Sequence, residues 1–341
     1  MAKRLVVVGV AAIAAGGLTL PACKDEAKGQ LIVAVTTDMK PGDDFNRVEV
    51  EITAGTDRRT ERFNDVGGTL KFPFTIAIVE GSTPGTEVQV RVVTGLASPG
   101  SQTFLGEPRT LHDIAAVVPS DRIALARIHV DWLCVDSADV LGGSVASRCK
   151  VGQQTCVGGT CLDFVRQGAA LPTFDERAVF GWRTAGEGDG TCFDTVRCFA
   201  AGAMTDVELE TCTLARPAGD AVNVALVLPP GERMGICGTE ACYLPLDIDA
   251  RHGVRVAGTR LQLPFEACRR LAGTSTTSQR RLLGVAVTSA CAAKTVETPT
   301  CGPWSSARGG AFTEQAPSPR GYRDADVRDA MDAADSGDAG D

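Results

Sequence analysis

The sequence predicts a mainly β protein built as two sandwiches joined by a disulfide-stapled hinge, and three observations carry that prediction. Short runs with an apolar residue at every second position recur through residues 31–133, separated by turn-forming Pro, Gly and Asp. Twelve of the thirteen cysteines lie between Cys134 and Cys301, whereas residues 24–133 contain none. At 341 residues and 44 % apolar, the chain is long enough, and apolar enough, for two buried cores.

The first sandwich follows element by element. Residues 31–36 are a β-rich run closed by Asp38 and the Pro41-Gly42 turn, and 48–53 alternate strictly, with Val48, Val50 and Ile52 on one face and acids on the other. Residues 58–63 form a weaker strand. Phe72, Phe74, Ile76 and Ile78 share the face of the next, where Pro73 marks an edge or a strand start. Pro84-Gly85 turns the chain into 87–92, residues 104–111 add a strand, and a long one over 122–134 aligns Ala124, Ala126, Ile128, Val130 and Trp132. That strand arithmetic predicts an immunoglobulin-like sandwich over 31–133. In this reading His112 lies in a loop beside Asp113, His129 faces solvent, and Trp132 points into the core.

Residues 134–165 hold Cys134, Cys149, Cys156 and Cys161 among glycines and few apolar residues, so the segment needs staples and reads as a rigid hinge. From 166 to 304 a second β region is predicted, with strands over 178–182, 207–210, 222–228, 243–248, 254–257, 260–263 and 282–288. One helix is expected over 264–272, with Pro264 at its start and Gly273 just past its end. The economical fold is a second, jelly-roll-like sandwich. Its cysteines are Cys192, Cys198, Cys212, Cys237, Cys242, Cys268, Cys291 and Cys301, and an even dozen in an exported chain reads as six disulfides. Neighbours such as Cys192 and Cys198, Cys237 and Cys242, or Cys291 and Cys301 can close local loops and leave Cys212 for Cys268. Spacing alone does not decide among the connectivities. Zinc is disfavoured because no CxxC pair occurs.

The N-terminus sets the compartment. Lys3-Arg4 precede an apolar run from Leu5 to Leu20 that is too short, and too broken by Gly16-Gly17, to span a bilayer. A charged start, a short apolar core and small residues before a cut describe an export signal over 1–22. Leu20-Pro21-Ala22-Cys23 resembles the lipobox of bacterial lipoproteins, although Pro21 departs from the usual Ala, Ser or Gly. The resemblance implies that Cys23 is acylated and becomes the new N-terminus, with 23–30 as anchor and tether. It also implies a lipid-anchored place at the envelope, in the outer membrane or on the cell surface. The remainder resembles cysteine-rich surface lipoproteins. Residues 305–341, with Asp at every third position from Asp326 to Asp341, are expected to form a solvated acidic tail.

Charge and missing motifs bound the function. Removing the signal takes two basic residues from 34, leaving 42 acids ahead by ten, which argues against nucleic acid as a partner. No GxSxG elbow, HExxH helix or P-loop occurs, and no catalytic residue, cofactor or firm metal site is predicted. Glu187, Asp189 and Asp194 are a weak Ca²⁺ candidate. Trp182 and Trp304 read as packing residues or, where exposed, as sugar platforms. The chain is therefore expected to be a non-catalytic surface protein presenting β domains to a glycan or protein ligand. The stapled loops of its second region would bind while the first acts as a spacer. The alternatives are a secreted hydrolase with a site near Asp249 and His252, or a purely structural envelope protein.

Overall fold

Alternation in the first third of the chain becomes strand almost residue for residue in the computed structural model. It describes residues 29–307 apart from 82–84, 99–100, 102–103, 105–108, 142–143, 151, 164–165, 168–169, 181–191, 220, 231–233 and 275–281. Strands β1 (Gln30–Thr37), β2 (Arg47–Ala54), β3 (Asp57–Phe63), β4 (Phe74–Val79), β5 (Glu87–Gly95), β6 (Thr110–Val117) and β7 (Ile123–Val130) come first. Shorter ones follow: β8 (Ala138–Leu141), β9 (Ser144–Ser147), β10 (Gln154–Val157), β11 (Thr160–Asp163) and β12 (Arg166–Gln167). One sheet has the order β4-β1-β7 and its partner the order β12-β6-β5-β2-β3. Strand β1 runs antiparallel to β4 and parallel to β7. Leu31, Val33 and Val35 of β1 are buried in one core with Val48, Val50 and Ile52 of β2, as period two requires.

The opposite faces of β1 and β7 are covered as well. Ile32, Ala34 and Leu125 pack beneath Val179 of α1 (Glu176–Phe180). The predicted strand over 178–182 is thus helix as far as Phe180. His129 does not face solvent either, since Asp247 lies against it with Lys294 behind: only 9 % of it is exposed. His112 lies on β6 rather than in a loop, because that strand begins at Thr110, six residues beyond the expected start. Trp132 is buried as expected but sits in a 3₁₀ turn, Trp132–Cys134, whose Asp131 cap accepts from Leu133 N at 2.8 Å and ends the strand early.

The later elements are α2 (Thr195–Phe199), β13 (Ala203–Thr205), β14 (Thr213–Ala215), β15 (Asn223–Leu228), β16 (Ile236–Cys237), β17 (Cys242–Leu246), β18 (Arg255–Ala257), β19 (Arg260–Gln262), α3 (Phe265–Leu271) and β20 (Gly284–Thr288). A five-stranded sheet of order β13-β20-β15-β17-β16 packs Ala225 and Val227 against Phe199 of α2. Its other face, with Val224 and Leu226, meets Leu214 and Leu261 of the three-stranded sheet β14-β19-β18. No strand spans 207–210, where an exposed turn joins β13 to β14. Helix α2 was not expected; it is short, and its visible signal is Asp194, which accepts from Arg197 N at 3.0 Å.

Two separate domains were expected, but the described residues from 29 to 307 form one compact unit. Trp132 and Leu133 share a single buried cluster with Leu226, Leu244 and Leu263. Buried polar contacts cross between the halves: Asp44 accepts from Gly235 N at 3.2 Å, and Arg270 Nη2 donates to Val135 O at 3.2 Å. The presumed hinge is a wedge. Strands β10 and β11 form a hairpin whose Gly158 and Gly159 have φ of 58° and 78°, the left-handed pair of a type I′ turn. A Cβ on Gly159 would lie 2.3 Å from Glu266 Cβ of α3, so only glycine lets the turn seat there.

All twelve cysteines after Cys23 are bridged: Cys134–Cys156, Cys149–Cys161, Cys192–Cys301, Cys198–Cys291, Cys212–Cys268 and Cys237–Cys242. The two last pairs follow the local reading. Cys192 and Cys198 instead reach across the chain to Cys301 and Cys291, because α2 and residues 291–301 lie on the same side of the five-stranded sheet. Such a set marks an oxidising, extracellular type of environment. Among the described residues no helix is long and apolar enough to cross a membrane. The signal, Cys23 and the tether up to residue 28 lie outside the described residues, as does the tail from 308 onward. Ser305 to Ala307, assigned to the tail by sequence, are held: Ser306 N donates to Phe72 O at 2.8 Å.

Candidate functional site

Strand β7 ends one sheet, and β6 is covered at the border of the other only by the two residues of β12. The sandwich therefore gapes along the β6–β7 seam, and a cleft of about 540 Å³ opens there. Its floor is aliphatic, with Ile114 from β6 and Leu125 and Ile128 from β7. Thr155, Cys156 and Val157 of β10 form one wall, and Leu171 and Pro172 another. Arg251, His252 and Val296 close it from the second half of the chain. The cleft is thus lined by residues of both halves. Among the described residues no aromatic side chain lines it apart from the imidazoles.

All three histidines of the chain line this cleft. His112 Nδ1 is 3.1 Å from Cys156 O, a carbonyl that can only accept, so Nδ1 carries the proton and Nε2 is a bare acceptor. Nε2 is buried and without a partner among the described residues. Burial, with His129 nearby, pushes the His112 pKa down to about 3, so the ring is neutral at ordinary pH. The Cys134–Cys156 bridge fixes the carbonyl that orients it.

His129 is held deeper. Its Nδ1 meets Thr36 Oγ1 at 2.9 Å, and its Nε2 lies 2.9 Å from Asp247 Oδ2, an ion-pair distance without a hydrogen bond's alignment. Lys294 Nζ donates to the other oxygen of Asp247, and Lys294 and Asp247 are only 1 % and 2 % exposed. Burial alone would raise the Asp247 pKa, but Lys294 and His129 outweigh it and hold the carboxyl well below its usual range. Asp38 and Asp131 sit close by. Desolvation raises both, Asp38 the further because Asp131 repels it. Asp38 Oδ1 accepts from Trp132 N at 2.8 Å and Asp131 Oδ2 from Gly158 N at 2.6 Å, so these acids also tie the turn and the hairpin in place.

His252 and Asp249, the pair suggested by sequence, are indeed together: Nδ1 and Oδ1 are 3.0 Å apart. The same Oδ1 accepts from Arg251 N at 2.8 Å and His252 N at 2.7 Å, so Asp249 chiefly shapes the turn. The His252 hydrogen bonds pull its pKa down to about 2. Gly253 lets this loop fold back, since a Cβ there would lie 1.9 Å from Asp247 O. The cleft's lining hydroxyls are engaged: Thr36 on His129, and Thr155 as acceptor from Asp113 N at 2.9 Å.

Other sequence candidates fall away from the cleft. Glu187 and Asp189 lie outside the described residues, as does Trp182, and Asp194 is the cap of α2. No group of three or more ligating side chains could hold a metal among the described residues. Trp304 is buried, so it is not a sugar platform. Sequence reasoning missed the cleft because its parts come from residues 36 to 296; the meeting of three scarce histidines has no local signal. Compared with models of known families, with curated proteins and with solved structures, the chain matches none.

Proposed function

We propose that this chain is an exported, lipid-anchored binding protein of the cell envelope, non-catalytic, whose recognition site is the β6–β7 cleft. One observation carries the binding role: a cleft of about 540 Å³ with an aliphatic floor and a few fixed polar groups, the dimensions and chemistry of a ligand site. The anchor rests on the resemblance of Leu20-Pro21-Ala22-Cys23 to a lipobox, and the exported life of the protein agrees with its six disulfides. The sequence suggests a glycan or a protein segment as ligand, and nucleic acid is excluded from the proposal by charge.

The hydrolase reading has the His252–Asp249 contact in its favour, but among the described residues no free hydroxyl or thiol accompanies the pair in the cleft. Three measurements test the assignment. Cys23→Ser should leave the protein out of the detergent phase or leave its signal uncut; a variant that stays fully membrane-bound removes the anchor. Val296→Trp, which fills the cleft, should abolish capture of whatever ligand a glycan and small-molecule array yields. Hydrolytic turnover lost on His252→Ala would transfer the case to the enzyme reading.

A further inference from the structure

We propose that the cleft takes a small aliphatic carboxylate bearing a hydroxyl or ammonium donor, with its carboxylate drawn by Arg127 and Arg251 and its donor aimed at His112 Nε2. This inference rests on the cleft being a binding site and specifies what it binds. Charge is the first argument. Arg127 and Arg251 both line the cleft of a chain whose net charge is −8. The carboxylate of Asp113, also on the lining, is matched by Arg91 at 2.9 and 3.3 Å, and Asp249 by His252. Arg127 Nη2 serves Ala178 O and Glu297 Oε1, at 3.1 and 3.2 Å, while its Nη1 is buried without an acceptor. Arg251 makes no ion pair among the described residues. The cleft thus presents guanidinium donors in excess of its acceptors, and a carboxylate is the partner a guanidinium fork fits.

Apolarity is the second argument. Ile114, Leu125, Ile128, Leu171, Pro172 and Val296 offer branched hydrocarbon on several sides, and among the described residues no Phe, Tyr or Trp ring lines the cleft to stack under a sugar or a base. Hydrocarbon fits such a wall and a pyranose does not, since sugar sites rely on stacking against aromatic faces. The third argument is His112. Its tautomer leaves an unpartnered acceptor in a residue that is 4 % exposed, and a buried acceptor without a partner costs free energy until a donor meets it. An aliphatic acid with a hydroxyl or ammonium group satisfies cation, wall and acceptor together.

Titration calorimetry on the full chain, with octanoate, 3-hydroxyoctanoate, octanamide, octylammonium and maltotriose as probes, tests this. Octanoate is expected to bind about tenfold tighter than octanamide, the ~1.4 kcal/mol of one charge-assisted contact, and 3-hydroxyoctanoate tighter again. Arg251→Gln, at an exposed position, should erase about tenfold for octanoate and nothing for octanamide. His112→Phe should remove the gain of the 3-hydroxyl and leave octanoate binding in place. Octanamide or octylammonium binding as tightly as octanoate overturns the anion assignment, as does failure of every probe to bind. Maltotriose binding that is lost in Val296→Trp would keep the cleft as the site but overturn its ligand class. Octanoate binding that survives Val296→Trp would place the ligand elsewhere and take the cleft reading down with it.

Discussion

His112 couples the cleft to pH. Its folded pKa lies near 3 against an ordinary value of 6.5, so the unfolded chain binds the proton more readily throughout that interval. The stability it contributes is complete above pH 6.5 and drains away as pH falls toward 3. Between pH 6.5 and 4.5 the loss should reach about 2 kcal/mol from this ring alone. Asp44, which burial raises to about 6, works with the opposite sign: its contribution is complete below its ordinary 3.8 and is lost as pH rises through 6. The test is therefore a difference. Urea midpoints of the wild type and of His112→Gln, taken from pH 7 to pH 4.5, should diverge, with the variant losing less stability on acidification. Parallel curves would show that the ring titrates normally.

Lys294 and Asp247 are the other residue-scale hinge. Neither is solvated, so Asp247→Asn strands an ammonium and should cost about 3–5 kcal/mol. Adding Lys294→Met should restore a large part of that loss, because the stranded charge goes with it. Additive effects in this double-mutant cycle would mean that the two groups do not depend on each other.

At the scale of elements, the strands of the first sandwich were legible because one face of each is buried and period two is then visible in the letters. Val48-Glu49-Val50-Glu51-Ile52 is the plainest case. The helix over Phe265–Leu271 was legible from Pro264 and Gly273. Strand β6 was displaced in the reading because both its faces are covered, so Thr110, His112 and Asp113 sit buried where alternation expects apolar residues. The same double burial hid the site: His129 occupies a nominally outer position, and its cover comes from Asp247 and Lys294, more than a hundred residues away. The hairpin was not legible in the sequence, where 134–165 reads only as a stapled hinge, and its seat against α3 has no local signal. Two glycines separate these roles. Gly152 has φ of 70° with nothing near its virtual Cβ, whereas Gly159 has φ of 78° and Glu266 Cβ at 2.3 Å. Gly152→Ala should cost only the left-handed penalty of about 1 kcal/mol. Gly159→Ala adds a collision with α3 and should cost roughly 2–4 kcal/mol. Equal losses in denaturant melts would show that the hairpin does not bear on α3.

For the molecule as a whole, the question is whether the cysteine-free sandwich stands alone. Its strands would suggest so, since residues 29–133 contain no bridge to lose. Its interior suggests otherwise, because the cluster that buries Val48 and Trp132 continues through Leu226 and Leu263, and Asp44 and His129 each have a further partner in the second half, Gly235 N and Asp247. Removing the second half would expose that apolar surface and take one partner each from Asp44 and His129. The long bridges then hold everything. Cys192–Cys301 and Cys198–Cys291 close separations of 109 and 93 residues, and on the chain-entropy model each contributes about 4–5 kcal/mol. A domain's total stability is about 5–15 kcal/mol, so losing both approaches the whole of it. Reduction is accordingly expected to unfold the chain in one transition, with Trp132 fluorescence and far-ultraviolet dichroism changing together. Hydrogen exchange on the reduced protein decides the point: amides of Leu31 to Val35 in β1 should lose protection along with those of Val224 to Leu228 in β15. Protection that persists in β1 after β15 has opened would restore the picture of an independent sandwich carrying a separable, stapled second domain.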